Sequence, residues 1–172
     1  MFSWIGYLLV SYLAADLLAG FWHWWEDRYA KEDWPVVGKL IAKPNQLHHD
    51  QPQAFLNQSY WSRNWTTIVP SVVVFALTFP HPGSLIFVFV SQANEIHACA
   101  HRKGKTPVWV NMLQATGLLQ SPRHHAQHHI DPFESKYCVM SDWLNPILDH
   151  FGFWRKLEWF VALVLRVHPK AG

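Results

Sequence analysis

Nine of the twelve histidines in the 172-residue chain stand in four groups: His23, the pair His48 and His49, the pair His97 and His101, and the run His124, His125, His128 and His129. A neutral imidazole nitrogen is a metal ligand, and these spacings suit ligation. On a helix His97 and His101 lie four residues apart and share one face, with Asn94 a turn earlier on that face. His125 repeats this pattern with His129 and lies three residues from His128. A further stripe of Asp16, Gly20, His23 and Asp27 runs at steps of four, three and four. A carboxylate inside an apolar segment is costly and usually functional. Asp16 therefore either orients a ligand imidazole from behind or partners another buried polar group. One zinc ion needs about four ligands, so nine candidates point to two metals. Imidazole suits iron, copper, zinc and nickel alike. The H-E-x-x-H run of a zinc protease is missing, and a bis-histidine haem has no need of adjacent pairs. A non-haem iron pair that turns dioxygen on an unactivated C–H bond fits the count. His81, His150 and His168 stand alone and are expected at the surface. Cys99 and Cys138 have neither metal nor disulfide spacing and are expected to be small buried apolar residues.

Histidines so far apart in sequence need elements that bring their ends together. Three apolar stretches offer them: Trp4 to Trp25 (broken by Asp16), about Trp65 to Phe79, and Ser84 to Ala100, with a His81-Pro82-Gly83 turn between the last two. Charged residues make up 15% of the chain, against about 25% in ordinary soluble domains. All 14 Lys and Arg fall between Arg28 and Arg63 or between Arg102 and Lys170. If the first stretch crosses a bilayer once and the other two form a helical hairpin, both basic regions emerge on one side, and the positive-inside bias makes that side cytoplasmic. Trp22, Trp24, Trp25, Trp61 and Trp65 mark an aromatic belt at the same level. The expectation is a single all-α domain over residues 1–172, an integral multi-pass membrane protein of about three apolar spans with a cytoplasmic His-rich helical cap and its N-terminus on the opposite side. Without a basic n-region or an A-x-A site, no cleaved leader is expected. Pro107 to Gln120 reads as an amphipathic or buried helix, and Leu157 to Val167 as an interfacial one. Arg102, Lys103 and Lys105 read first as a positive-inside anchor, and secondly as a dock for an acidic carrier or for lipid phosphates. No nucleic-acid partner is expected.

Several motifs then carry a resemblance. They are Ala15-Asp16-Leu17-Leu18-Ala19-Gly20-Phe21-Trp22-His23-Trp24 followed by Asp27, then Pro35-Val36-Val37-Gly38-Lys39, then His48-His49. Asn94-Glu95-Ile96-His97-Ala98-Cys99-Ala100-His101 follows, then Pro122-Arg123-His124-His125-Ala126-Gln127-His128-His129, Pro132-Phe133-Glu134, Trp143-Leu144-Asn145 and Gly152 to Glu158. In this order they resemble the lipid desaturase family that includes plasmanylethanolamine desaturase (the CarF and Kua proteins) and a plant plastid acyl desaturase. The resemblance implies a membrane di-iron enzyme with two Fe ions and dioxygen, an alkyl or acyl chain of a membrane lipid as substrate, and an external electron donor of the cytochrome b5 or ferredoxin kind. It also implies that the matching histidines are ligands. The chain departs from the pattern at Leu47, where animal members carry Glu, and across Asp50 to Asn64. Two other readings use the same residues: a di-iron lipid hydroxylase, and a non-catalytic membrane metal-binding or redox-sensing module.

Overall fold

The structure, a computed structural model, describes residues 4–102 and 105–170, so Lys103 lies outside the described residues. Among these there are helices and turns and no strand. The long first apolar run forms α1, Trp4–Arg28, the one described helix long and apolar enough to cross a membrane. The second stretch starts earlier than its apolar core, as α3, Tyr60–Thr78, because the Ser59 side chain caps it by accepting from Ser62 N–H.

The third stretch is not continuous. It divides into α4, Leu85–Val90, and α5, Ala93–His101. At the break the Ser91 hydroxyl donates to the Val88 carbonyl at 2.7 Å, competing with the helical ladder. α4 packs along α1 and α3. At one end the Tyr7 hydroxyl donates to the Pro82 carbonyl; at the other, the His23 ring lies 5.5 Å from that of His97. The hairpin therefore runs beside α1 from Tyr7 to His23, roughly 24 Å at 1.5 Å per residue.

The remaining elements are a π-helical turn Gly38–Ala42, α2 (Lys43–Asp50), 3₁₀ turns Ala54–Asn57 and Pro82–Ser84, α6 (Val108–Ala115), α7 (Pro122–His125), α8 (Leu144–His150) and α9 (Phe153–Leu165). The helix expected over 107–120 stops at Ala115, with Gly117 at φ +74° turning the chain back. A buried irregular segment, Tyr137 to Ser141, threads against α1. A Cβ on Gly20 would stand 2.7 Å from the Cys138 Sγ, so only glycine admits this approach. Asp16, fully buried, accepts from Met140 N–H, Ser141 N–H and the Ser141 hydroxyl at 2.8, 3.1 and 2.6 Å. The Tyr12 hydroxyl donates to the carbonyls of Leu118 and Met140. Gln120 and Asn145 side chains satisfy the Cys138 backbone. A segment without a ladder of its own thus finds its partners in side chains, which burial demands.

Candidate metal centre

Two ligand groups lie side by side where these elements meet. The first is His48, His97, His101, His125 and His129, and the second is His23, Asp27, His49 and His128; in each group the ligand atoms lie within 4.8 Å of one another. Ring centroids across the divide are 5.0 Å apart for His49 and His129 and 5.5 Å for His23 and His97.

In the first group α5 supplies His97 and His101 from one face, α2 supplies His48, and α7 with the turn after it supplies His125 and His129. Ser121 starts α7 by accepting from His124 N–H. The Nε2 atoms of His97, His101 and His125 form a triangle with edges of 2.8, 2.8 and 3.2 Å, and His129 Nε2 is 3.0 Å from that of His125. No choice of tautomers makes three hydrogen bonds of such a triangle, since any one donor leaves two lone pairs facing each other. The edges match a coordination sphere instead: ligands at ~2.1 Å and right angles stand about 3.0 Å apart. Burial, then the neighbouring imidazoles, push His48, His125 and His129 below the ordinary histidine range, so they stay neutral, the form that ligates.

In the second group two imidazoles are set from behind by the main chain. His23 Nδ1 lies 3.1 Å from the Tyr137 carbonyl, and His128 Nδ1 lies 2.8 Å from the Ser135 carbonyl. Donation there leaves each Nε2 as a lone pair aimed at Asp27. The Asp27 Oδ2 is 3.2 Å from His128 Nε2 and 3.6 Å from His23 Nε2, and its Oδ1 is 2.9 Å from His49 Nε2. The Asn45 amide donates to Oδ1 at 2.6 Å. His23 Nε2, Asp27 Oδ2, both nitrogens of His48 and His128 Nε2 are buried with no hydrogen-bond partner among the described residues. Buried imidazole nitrogens and a carboxylate oxygen that converge without partners fit a pair of cations.

Eight of the nine sequence-picked histidines enter these groups. His124 does not: its Nε2 faces the Asn145 amide at 3.1 Å and its Nδ1 lies 4.0 Å from Asp142. Its neighbour His125 turns inward, and a four-residue helix cannot aim both adjacent side chains at one point. Asp27, expected beside the ligands, stands among them. Asp16 holds the 137–141 backbone and touches no imidazole, while the Asn94 amide donates to the Arg63 carbonyl. His81, His150 and His168 are exposed, and Cys99 and Cys138 are buried.

Sequence reasoning missed three supports. The Tyr137 carbonyl sets His23, although nothing local marks it. Glu95, within two residues of His97, is gripped by Arg63 at 2.6 Å and by Arg102 at 2.5 Å; acidic and basic residues flanking a ligand were the available signal. Phe55, in the stretch that departs from the family pattern, packs 5.1 Å from His48 and 5.3 Å from His97.

A cavity of about 580 Å³ opens from the centre between α1, α3 and the two halves of the third stretch. His23, His48 and His97 border one part, and Pro70, Val74 and Phe87 line the far part. An apolar slot bordered by convergent imidazoles can seat a hydrocarbon chain.

The chain matches the lipid desaturase domain over residues 12–172. It is 32% identical over 174 residues to a probable fatty acid desaturase of Acanthamoeba polyphaga mimivirus, covering 95% of this chain and 85% of the relative. It is 30% identical to plasmanylethanolamine desaturase 1 of Mus musculus, covering 92% of this chain and 65% of that protein. It is 34% identical to the chloroplastic fatty acid desaturase 4-like 2 of Arabidopsis thaliana, over 94% of this chain and 61% of that one. No solved structure matches.

Proposed function

The chain belongs to the lipid desaturase family, and on that premise we propose that it is a membrane-bound di-iron desaturase that removes two hydrogens from neighbouring carbons of a lipid alkyl or acyl chain. The observation that carries this reading is the pairing of two metal-sized ligand groups with an apolar cavity ending on three of their imidazoles. His48, His97, His101, His125 and His129 would hold one iron, and His23, Asp27, His49 and His128 the other. When bound, the iron pair supplies dioxygen chemistry strong enough to break an unactivated C–H bond, with electrons from an external donor.

The chain's own residues do the rest. Val74 and Phe87 hold the hydrocarbon chain away from water, so its position is fixed by packing and not by polar contacts. The Tyr137 and Ser135 carbonyls hold His23 and His128 in one tautomer. The Glu95 clamp between Arg63 and Arg102 fixes α5, and with it His97 and His101.

Membrane placement fits the same picture. Leu8, Leu9, Val69, Val72, Val73 and Leu77 are exposed large apolar side chains on α1 and α3, outside the cavity wall, and water does not favour so extended a patch. α1 would cross fully, with the α3–α4–α5 hairpin entering and returning beside it and the cap on the cytoplasmic face. The vinyl ether chemistry named for the mouse relative is one outcome of such a site.

The test is elemental analysis of the detergent-purified protein, followed by mass spectrometry of lipids incubated with dioxygen and a reductant. About two irons per chain and products lighter by two hydrogens support the reading, on the ligand count each iron needs. A single zinc refutes the iron pair; products heavier by one oxygen make the enzyme a hydroxylase.

A further inference from the structure

The cavity has a direction and an end. Its α3 wall is one face of that helix, from Arg63 through Thr67 and Pro70 to Val74 at steps of four, three and four, and the third stretch lines it in the same way from His97 to Phe87. Leu18, Val74, Phe87 and Val90 make the end away from the imidazoles apolar. Beyond Val74 the two walls converge, because a short turn joins them. There the Thr78 hydroxyl donates to the Ser84 hydroxyl at 3.0 Å, and Ser84 is buried. Leu77, on the same turn of α3, points outward at 80% exposure and takes no part in the wall. From Arg63 to Val74 the slot runs roughly 16 Å at 1.5 Å per residue. An extended hydrocarbon advances about 1.25 Å per carbon, from C–C bonds of ~1.5 Å at tetrahedral angles, so on the order of a dozen carbons fill it.

The geometry points to Val74 and Phe87 as the stop that sets how long a hydrocarbon chain the site accepts, an inference that rests on the lipid-chain reading above. Each methylene that enters the slot leaves water and strengthens binding. The first that does not fit meets packed side chains and costs what an overfilled core costs. The contribution of one more carbon therefore changes sign at a fixed depth, and that depth is a length limit. A methyl terminus offers no hydrogen bond, so selection at this end is by shape alone. In an apolar pocket one methylene too many changes selection by about tenfold or more. The two side chains face each other across the end from separate helices, so a larger group at Val74 shortens the slot and a smaller one at Phe87 lengthens it.

The experiment incubates the delipidated full chain, without dioxygen or reductant, with an equimolar mixture of saturated monoacylglycerols of twelve to twenty carbons. The protein is re-isolated in detergent, and mass spectrometry reads which lengths it retains. Retention should rise with length and then drop by about tenfold past one limit. Val74→Phe should lower that limit by about three carbons and Phe87→Ala should raise it by a similar amount, from the reach of a benzyl group. Leu77→Phe, on the outer face, should leave it in place. A merely structural defect would reduce retention of every length alike and would not move the limit in opposite directions. Equal retention of all lengths, retention of none, or one limit shared by the wild type and both cavity variants overturns the proposal. Thermal melting checks that each variant folds, and should Val74→Phe fail, Phe87→Ala and the wild-type limit decide it. Because retention needs neither iron nor turnover, a length limit in a protein that desaturates nothing counts against the desaturase reading and not against this one.

Discussion

The two ligand groups are made from the same side chain and differ in what surrounds it. The five-imidazole group carries no formal charge and is assembled from α2, α5 and α7, with its nitrogens facing each other directly. The other group is built around the Asp27 carboxylate, takes two of its ligands from α1, and has main-chain carbonyls behind His23 and His128. The first is therefore shaped by helix packing alone, and without a cation nothing but burial keeps its imidazoles together. The second has an internal anion that pairs with His49 at 2.9 Å, while His23 and His128 are held from behind by carbonyls and turn lone pairs to that anion, an arrangement that a cation between them relieves. The difference teaches that a histidine count cannot tell one kind of site from the other, because the distinguishing atoms are a carboxylate and two backbone oxygens.

Removing His125 should have the largest effect. Its Nε2 lies within 3.0 Å of those of His97, His101 and His129, so His125→Ala opens the middle of the neutral group. Desaturation should fall by at least about a hundredfold, beyond what loss of a supporting contact costs, and iron content should drop. A variant that keeps two irons per chain and half its activity would show that this group is not a metal site. Asp27→Asn tests the other half more selectively. The amide preserves size and can keep the Asn45 contact, but it removes the anion, and we expect roughly one iron to be lost while the neutral group keeps its own. Equal loss from both groups, read by metal analysis and Mössbauer spectroscopy, would mean that they do not behave as separate sites. The smallest effect should follow His124→Ala: unchanged iron stoichiometry and a loss of stability of about 1 kcal/mol from the Asn145 contact. Loss of an iron there would place His124 among the ligands.

Much of the candidate site was legible because its signals are local. His97 with His101, and His125 with His129, share a face by helical geometry alone. The apolar runs and the segregation of the basic residues are matters of composition, and the family motifs lie along the chain in order. What the one-dimensional pattern does not carry is which ends meet. Ser91 breaks the third stretch through a side-chain bond that competes with the helix, a choice that depends on context. Asp16 was read either as an aid to a ligand or as a partner for another buried polar group; it is the second, bound to Met140 and Ser141, 124 and 125 positions away.

By itself the sequence determined the helical class, the family and the histidines that gather at one end of the apolar helices, since each follows from periodicity, composition or motif. Only the tertiary structure decided how the histidines divide, and that Asp27 joins them while His124 does not. Each of those facts is a distance between side chains on separate elements. Such distances are set by close packing at sites such as Gly20 against Cys138 and by the hydrogen bonds that buried backbone must find, and neither is written in the spacing of residues along the chain.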